Sequence, residues 1–148
     1  RKGLQYLVNL ADKIDDDYKV IIVGVSEKQK KSLPKNIIGI TRTNNIRELV
    51  EIYSAADVFV NPTLEDNFPT TNLEAIACGT DIITFDTGGS SESAIYYGYV
   101  TNDKSVDDII KAINCRIKKS KPNLEQIGLK EFTMKYIKLF LKSKVWKV

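Results

Sequence analysis

The 148 residues contain no histidine, so the commonest general base and the commonest nitrogen ligand for metals are both missing. Any chemistry has to run on carboxylates, lysines, hydroxyls and backbone dipoles. Only Cys78 and Cys115 are present, far apart and in no metal-ligand spacing, which argues against a disulfide framework and a zinc site. They read as reduced, mostly buried thiols. No apolar run approaches the roughly 20 residues that span a bilayer, and the start lacks the charged-then-apolar pattern of a secretion signal. A cytoplasmic setting is therefore expected. No G-x-G-x-x-G follows a strand-like run, which speaks against a dinucleotide-binding oxidoreductase. Aromatic residues are not interleaved with the lysines, which speaks against a nucleic-acid partner.

What is present suits one globular domain over residues 1–148, with 43% apolar and 28% charged residues. The chain opens at Arg1-Lys2-Gly3 with a helical pattern already under way by Leu4, as if part of something longer. Charge is uneven. From Arg116 onward ten Lys/Arg face only Glu125 and Glu131, a net of +8, so the overall +3 leaves −5 on the first 115 residues.

Leu4, Leu7, Val8, Ala11 and Ile14 recur at helical spacing and end in Asp15-Asp16-Asp17, after which "KVIIVGV" is a short run of buried-strand type. A short helix over Ser26–Leu33, closed by Pro34, leads to a strand at "NIIGI". Ile46, Leu49, Val50 and Tyr53 form the next helical stripe, and "DVFVNP" follows as a strand ended by Pro62. Beyond a helix after Thr71 come a strand "DIITF", a glycine turn "DTGGSSES", a weak strand at Tyr99-Val100, and helices near 106–118 and 131–142, the last within a helical tail over 122–148. Such alternation implies parallel pairing through right-handed crossovers, hence a doubly wound, Rossmann-like α/β sheet with helices on both faces. Ligands gather outside the carboxyl ends of such strands. "NPTLEDNFPTT" and "DTGGSSES" lie at that end, and the Asp15-x-Asp17 pair lies at the other, where a solvated turn is a better reading than a metal site.

Two readings of Glu74 stay open on the residues alone. Thr71-x-x-Glu74 is a capping-box pattern, which by itself accounts for the glutamate. Asp66 is not accounted for in that way. A helix mouth presents unpaired amides and about half a positive charge, which suits a diphosphate, and carboxylates beside it accept from sugar hydroxyls.

The stretches "RKGLQYLVNLA", "KVIIVG", "ELVEIYSAADVFVNPT", "DNFPTTNLEAIACGTDIIT" and "TGGSSE" resemble, in order and spacing, the donor half of the retaining glycosyltransferases of group 1 type, built of two facing Rossmann-like domains. The family signature is Glu-x7-Glu leading into a helix with Ala-Cys-Gly near its end. The resemblance implies that Glu74 takes the ribose hydroxyls of a nucleotide-sugar donor, Asp66 the transferred sugar, and Lys2 the donor phosphates. It implies that the loop amides around Phe68, Pro69, Thr70 and Thr71 cradle the distal phosphate, that Asn67 is also donor-binding, and that Gly39-Ile40-Thr41 borders the base. Asp66 stands where the family has glutamate, so either Asp66 or, with a shifted loop, Glu65 takes the first acidic role. Pro69 stands where a glycine is common and removes an amide donor. Glu92, after "GGSS", matches a common family glutamate, with helix capping an equal alternative.

The implied reaction is metal-independent and needs no cofactor: a hexose-type sugar passes with retention through an oxocarbenium-like transition state to a glycan or lipid-linked acceptor. The resemblance places the acceptor site on a second, N-terminal domain, so no turnover is expected of these residues alone. It also places a strand before Lys2, central in the order 3-2-1-4-5-6. Without it, "KVIIVGV" and "DVFVNP" either leave a gap or pair directly. The basic tail suits peripheral contact with an anionic membrane, and Phe132, Tyr136, Leu139 and Phe140 give its helix an apolar stripe. The competing readings are a non-catalytic nucleotide- or sugar-binding module and a signalling receiver, although the latter would want an aspartate where "DVFVNP" has Asn61.

Overall fold

The computed structural model describes residues 1–94 and 98–117, all within the unit Arg1–Lys118. The helix and apolar stripe expected within 122–148 lie outside the described residues. Helix α1 (Leu4–Lys13) follows Gly3, whose φ of 75° only glycine adopts readily. That glycine is also pressed against Pro62, whose carbonyl oxygen would lie 2.0 Å from an added Cβ. The chain continues through β1 (Val20–Val23), α2 (Glu27–Ser32), β2 (Ile37–Ile40), α3 (Ile46–Ala55), β3 (Val58–Asn61), α4 (Thr70–Ala77), β4 (Asp81–Phe85), α5 (Ser90–Ala94), β5 (Gly98–Thr101) and α6 (Val106–Ile117). Short helices are fixed by their caps: Ser26 and Gln29 form a reciprocal capping box on α2, and Asn45 accepts from the Glu48 amide at the start of α3. Within the turn expected at "DTGGSSES", Ser90–Ala94 winds into α5.

All pairing is parallel, but the strands form two sheets, β1-β2 and β3-β4-β5. No ladder joins β1 to β3. Of the two outcomes open to the sequence, the gap is the one observed. A groove of about 1010 Å³ runs there, with β1 and β3 along it and Leu4, Leu7, Leu10 and Ile14 of the α1 segment among its lining. Each facing strand keeps one edge without a ladder, so the cohesion of the two sheets rests on side chains.

Strand β4 is central to its sheet and alternates cleanly. Ile83 and Phe85 point into a core with Leu10 of α1 and Val106, Ile109, Ala112 and Ile113 of α6, while Ile82 and Thr84 lie on the face met by α4 and α5. Helices thus cover both faces of this sheet. The smaller sheet is covered on one face, where Ile22, Val25 and Ile37 pack with Ala11, Leu7 and Val8. Its other face leaves Ile21 and Ile38 about half exposed. The two cysteines differ from expectation: Cys78 is only partly buried and Cys115 is exposed, on a side of α6 away from the core.

Phe85 is fully buried and meets Tyr6 edge-on, with ring centroids 4.9 Å apart. Phe85→Ala is expected to lower the unfolding free energy by about 3–5 kcal/mol, read as a drop in the urea midpoint without a change in the m-value.

Candidate functional site

The carboxyl ends of β3 and β4 carry the loops that the sequence marks as ligand-facing, and a buried polar network locks them together. Asn72, fully buried on α4, accepts from Asn61 Nδ2 at 2.8 Å and donates from its own Nδ2 to Ser93 Oγ at 2.7 Å and Ser90 Oγ at 3.3 Å. Ser90 is hydrogen-bonded in turn to Thr84, whose hydroxyl reaches the Asn61 carbonyl at 2.9 Å. β3, β4, α4 and α5 are thereby joined through one amide. The two loops touch directly as well. The Gly89 amide donates to the Asn67 carbonyl at 2.9 Å. A Cβ at Gly88 would lie 2.0 Å from the Asp66 carbonyl oxygen, so only glycine permits this approach.

Within that frame, Lys2 Nζ lies 2.5 Å from Asp66 Oδ2. Asp66 also accepts from the Phe68 amide at 3.2 Å. The hydrogen bond from Lys2, more than any other influence, holds the Asp66 carboxyl below its ordinary value near 3.8. Glu65 points elsewhere: exposed, it stands 3.8 Å from Arg1. Of the two acids the sequence left open, Asp66 is the one brought to Lys2.

Glu74 is not spent on capping. Helix α4 begins at Thr70 behind Pro69, with no side-chain cap hydrogen bond, so Thr71 already lies in the first turn and the expected Thr71/Glu74 box does not form. Instead Glu74 Oε2 accepts from the phenol of Tyr53 at 3.2 Å. Burial, and then the Glu74 charge, push the Tyr53 hydroxyl well above its ordinary range, so it keeps its proton as donor. Burial likewise raises the Cys78 thiol, with Glu74 adding to the effect and a hydrogen bond with Ser54 opposing it.

The helix mouth offers fewer donors than the sequence suggested. Pro69 has no amide, that of Phe68 is committed to Asp66 and that of Asn72 to the Pro69 carbonyl, which leaves Thr70 and Thr71. Lys2, Ile40, Thr71 and Glu74 line the groove between the sheets, together with Tyr53. Asp66 reaches its margin through Lys2. Gly39, Thr41, Glu65, Asn67, Phe68, Pro69 and Thr70 do not line it. Gly39 packs beneath Leu33, Glu92 is exposed in the first turn of α5, and Asp15 and Asp17 are exposed before β1, at the far end.

Residues 1–119 match the family of glycosyl transferases group 1. The chain belongs to that family. This membership removes the receiver reading. Among similar curated proteins is N,N'-diacetylbacillosaminyl-diphospho-undecaprenol alpha-1,3-N-acetylgalactosaminyltransferase of Campylobacter jejuni, 25% identical over 83% of this chain and 34% of its own length. Another is alpha-maltose-1-phosphate synthase of Mycobacterium tuberculosis, 30% identical over 62% of this chain and 27% of its own. The chain thus spans about a third or less of these relatives. Its Rossmann-like fold is shared with Anabaena HepE, solved in complex with UDP-glucose, at a TM-score of 0.64 and 19% identity over 79% of this chain and 36% of that one. Sucrose-phosphate synthase of Thermosynechococcus elongatus also matches, at a TM-score of 0.64 and 23% identity over 97% of this chain and 43% of that one.

Tyr53 and Asn72 were not among the site residues read from the sequence. Tyr53 had been absorbed into the apolar stripe of its helix. Asn72 is a lone amide in "TTNLEAIA", and its place three and four positions before the apolar Ala75 and Ile76 is the signal that it faces inward with them.

Because the folded pKa of Asp66 is depressed, its contribution to stability is present above the unfolded value and is lost as pH falls through the folded one. Lys2→Met should therefore cost a little stability at pH 7 and converge with the unmodified chain as pH falls below about 4, a flatter acid loss that melts across that range would measure.

Proposed function

We propose that this chain is the nucleotide-sugar donor-binding half of a retaining glycosyltransferase, one that passes a hexose-type sugar to a glycan or lipid-linked acceptor. The observation that carries the reading is Glu74: its carboxylate is released from helix capping and stands on the wall of a groove that Lys2 and Thr71 also line. A carboxylate accepts two ribose hydroxyls, an ammonium suits a diphosphate, and a helix N-terminus adds a fixed dipole of the same sign.

In this reading Lys2 and the amides of Thr70 and Thr71 stabilise the departing diphosphate. One charged hydrogen bond contributes about 1.5–3 kcal/mol and the dipole about 0.3–2 kcal/mol. Asp66 accepts from the transferred sugar once Lys2 turns to phosphate, and Ile40 contributes apolar contact to the base from the end of β2. Support for the donor class comes from the UDP and UDP-glucose held by the structurally similar HepE. Support for a lipid-linked acceptor comes from the diphospho-undecaprenol named in the Campylobacter relative. No helix among the described residues is long and apolar enough to cross a membrane. A cytoplasmic, peripheral contact is assigned to the basic residues from Arg116 onward, and the acceptor to a partnering N-terminal domain. No metal or cofactor takes part in the proposed transfer.

Titration of the chain with UDP, GDP and ADP, each with and without its sugar, is expected to give one preferred base with a dissociation constant of about 0.1–1 mM. Glu74→Ala should raise it more than tenfold with the circular dichroism spectrum unchanged. Equal affinity of the variant and the unmodified chain would overturn the proposal.

A further inference from the structure

The buried tyrosine beside Glu74 has no place in the donor contacts assigned above, yet its ring, its hydroxyl and its carbonyl are each held by a named partner. Its residue is only 8% exposed. Its ring stands edge-on to Phe59 of β3, with centroids 5.4 Å apart and an interplanar angle of 80°. Its backbone carbonyl accepts from the Thr80 hydroxyl, just past the far end of α4. α3 is thus tied at one residue to two points of the α4 segment: by the carbonyl to the loop after the helix, and by the phenol to Glu74 near its middle.

A glutamate side chain on a helix surface ordinarily samples several rotamers, and ordering it on ligand binding costs conformational entropy. The phenol at 3.2 Å from Oε2 removes much of that freedom in advance. A neutral donor also leaves the carboxylate charged, so Oε1 and the remaining lone pair of Oε2 stay available as acceptors. We infer that Tyr53 is a positioning residue, which presets Glu74 so that its carboxylate meets the ribose hydroxyls of a nucleoside diphosphate.

The inference rests on the reading that Glu74 binds those hydroxyls. The raised pKa of Tyr53 agrees with it, because burial and the Glu74 charge keep the phenol protonated as a donor. A purely structural tyrosine would serve equally well with its hydroxyl against any acceptor. Here the acceptor is the exposed glutamate that lines the groove.

The test uses the 148-residue chain, the preferred nucleoside diphosphate, and its 2′,3′-dideoxy analogue, which lacks the ribose hydroxyls. Unmodified chain, Tyr53→Phe and Glu74→Ala are compared for affinity and melting temperature. Phe keeps the ring against Phe59 and removes only the hydroxyl. The expected result is that Tyr53→Phe weakens the ribonucleotide about five- to tenfold, leaves the dideoxy analogue unchanged, and melts within a few degrees of the unmodified chain. If Glu74→Ala loses the preference for ribose but Tyr53→Phe keeps it, the positioning role is overturned while the donor reading stands. If Tyr53→Phe weakens both ligands equally with a collapse in melting temperature, its role is structural and the inference is again overturned. If Glu74→Ala keeps the full ribose preference, or the unmodified chain binds neither ligand, the donor reading itself falls and takes the inference with it.

Discussion

Two consecutive residues of α1 belong to different cores. Leu10 packs with Ile83 and Phe85 of the larger sheet and with α6, while Ala11 packs with Ile22, Val25 and Ile37 of the smaller sheet. Since no hydrogen-bond ladder joins β1 to β3, this one helix carries much of the cohesion between the two sheets. An α-helix advances 100° per residue, so neighbouring positions face in different directions by geometry alone. A stripe wide enough to include positions 4, 7, 8, 10, 11 and 14 can therefore serve both cores at once. The arrangement also fixes the site. The helix starts at Gly3 against Pro62, and so Lys2 is delivered to the carboxyl end of β3, beside Asp66.

The opposite wall depends on polar contacts. Placing an amide and three hydroxyls in a fully buried position is costly unless each finds a partner. The Asn61, Asn72, Ser90, Ser93 and Thr84 set meets that condition, each member hydrogen-bonded to another. Such a network has narrow geometric tolerance, because a shift of any member strands the others in a low-dielectric interior. That intolerance is useful where a helix mouth must face a ligand without reorganising. Apolar packing of the same volume would hold α4 to the sheet but would leave its rotation less defined.

Much of this was legible in the sequence, for definite reasons. Nearly every element followed from periodicity and punctuation: β-branched runs bounded by Gly, Pro and Asp gave the strands, and 3.6-residue stripes gave the helices. The glycines of "TGGSSE" marked a turn at the ligand-facing end, and that turn is pressed against Asp66 and Asn67. Less legible was anything that depends on where a helix begins to within one residue. Starting α4 at Thr70 behind Pro69 dissolves the Thr71/Glu74 box and turns the glutamate to Tyr53. Amide availability was misjudged for the same reason, since Asp66 accepts from the Phe68 amide within its own turn. Tyr53 was hidden because an aromatic at a stripe position satisfies the core pattern with its ring, and periodicity says nothing about a hydroxyl. The thiols illustrate a limit of composition: cysteine is buried on average, yet Cys115 sits on the outer side of α6.

The contact between Lys2 and Asp66 bears on how a site of this kind stays open to a ligand. The lysine side chain is about two-thirds exposed although its partner is mostly covered. An ion pair so wetted on one side is worth about 0–1 kcal/mol, because water competes for the ammonium and the long side chain loses entropy in one pose. Lys2 is therefore parked and not locked. A diphosphate, with more charge than one carboxylate and a helix mouth beside it, has the larger claim on the same ammonium. Asp66 would not be stranded by that exchange, since the Phe68 amide remains bonded to its other oxygen and Oδ2 is left as an acceptor. The pair thus keeps both groups placed and charged in the absence of ligand, at an energy low enough that separating them is a minor part of any binding event.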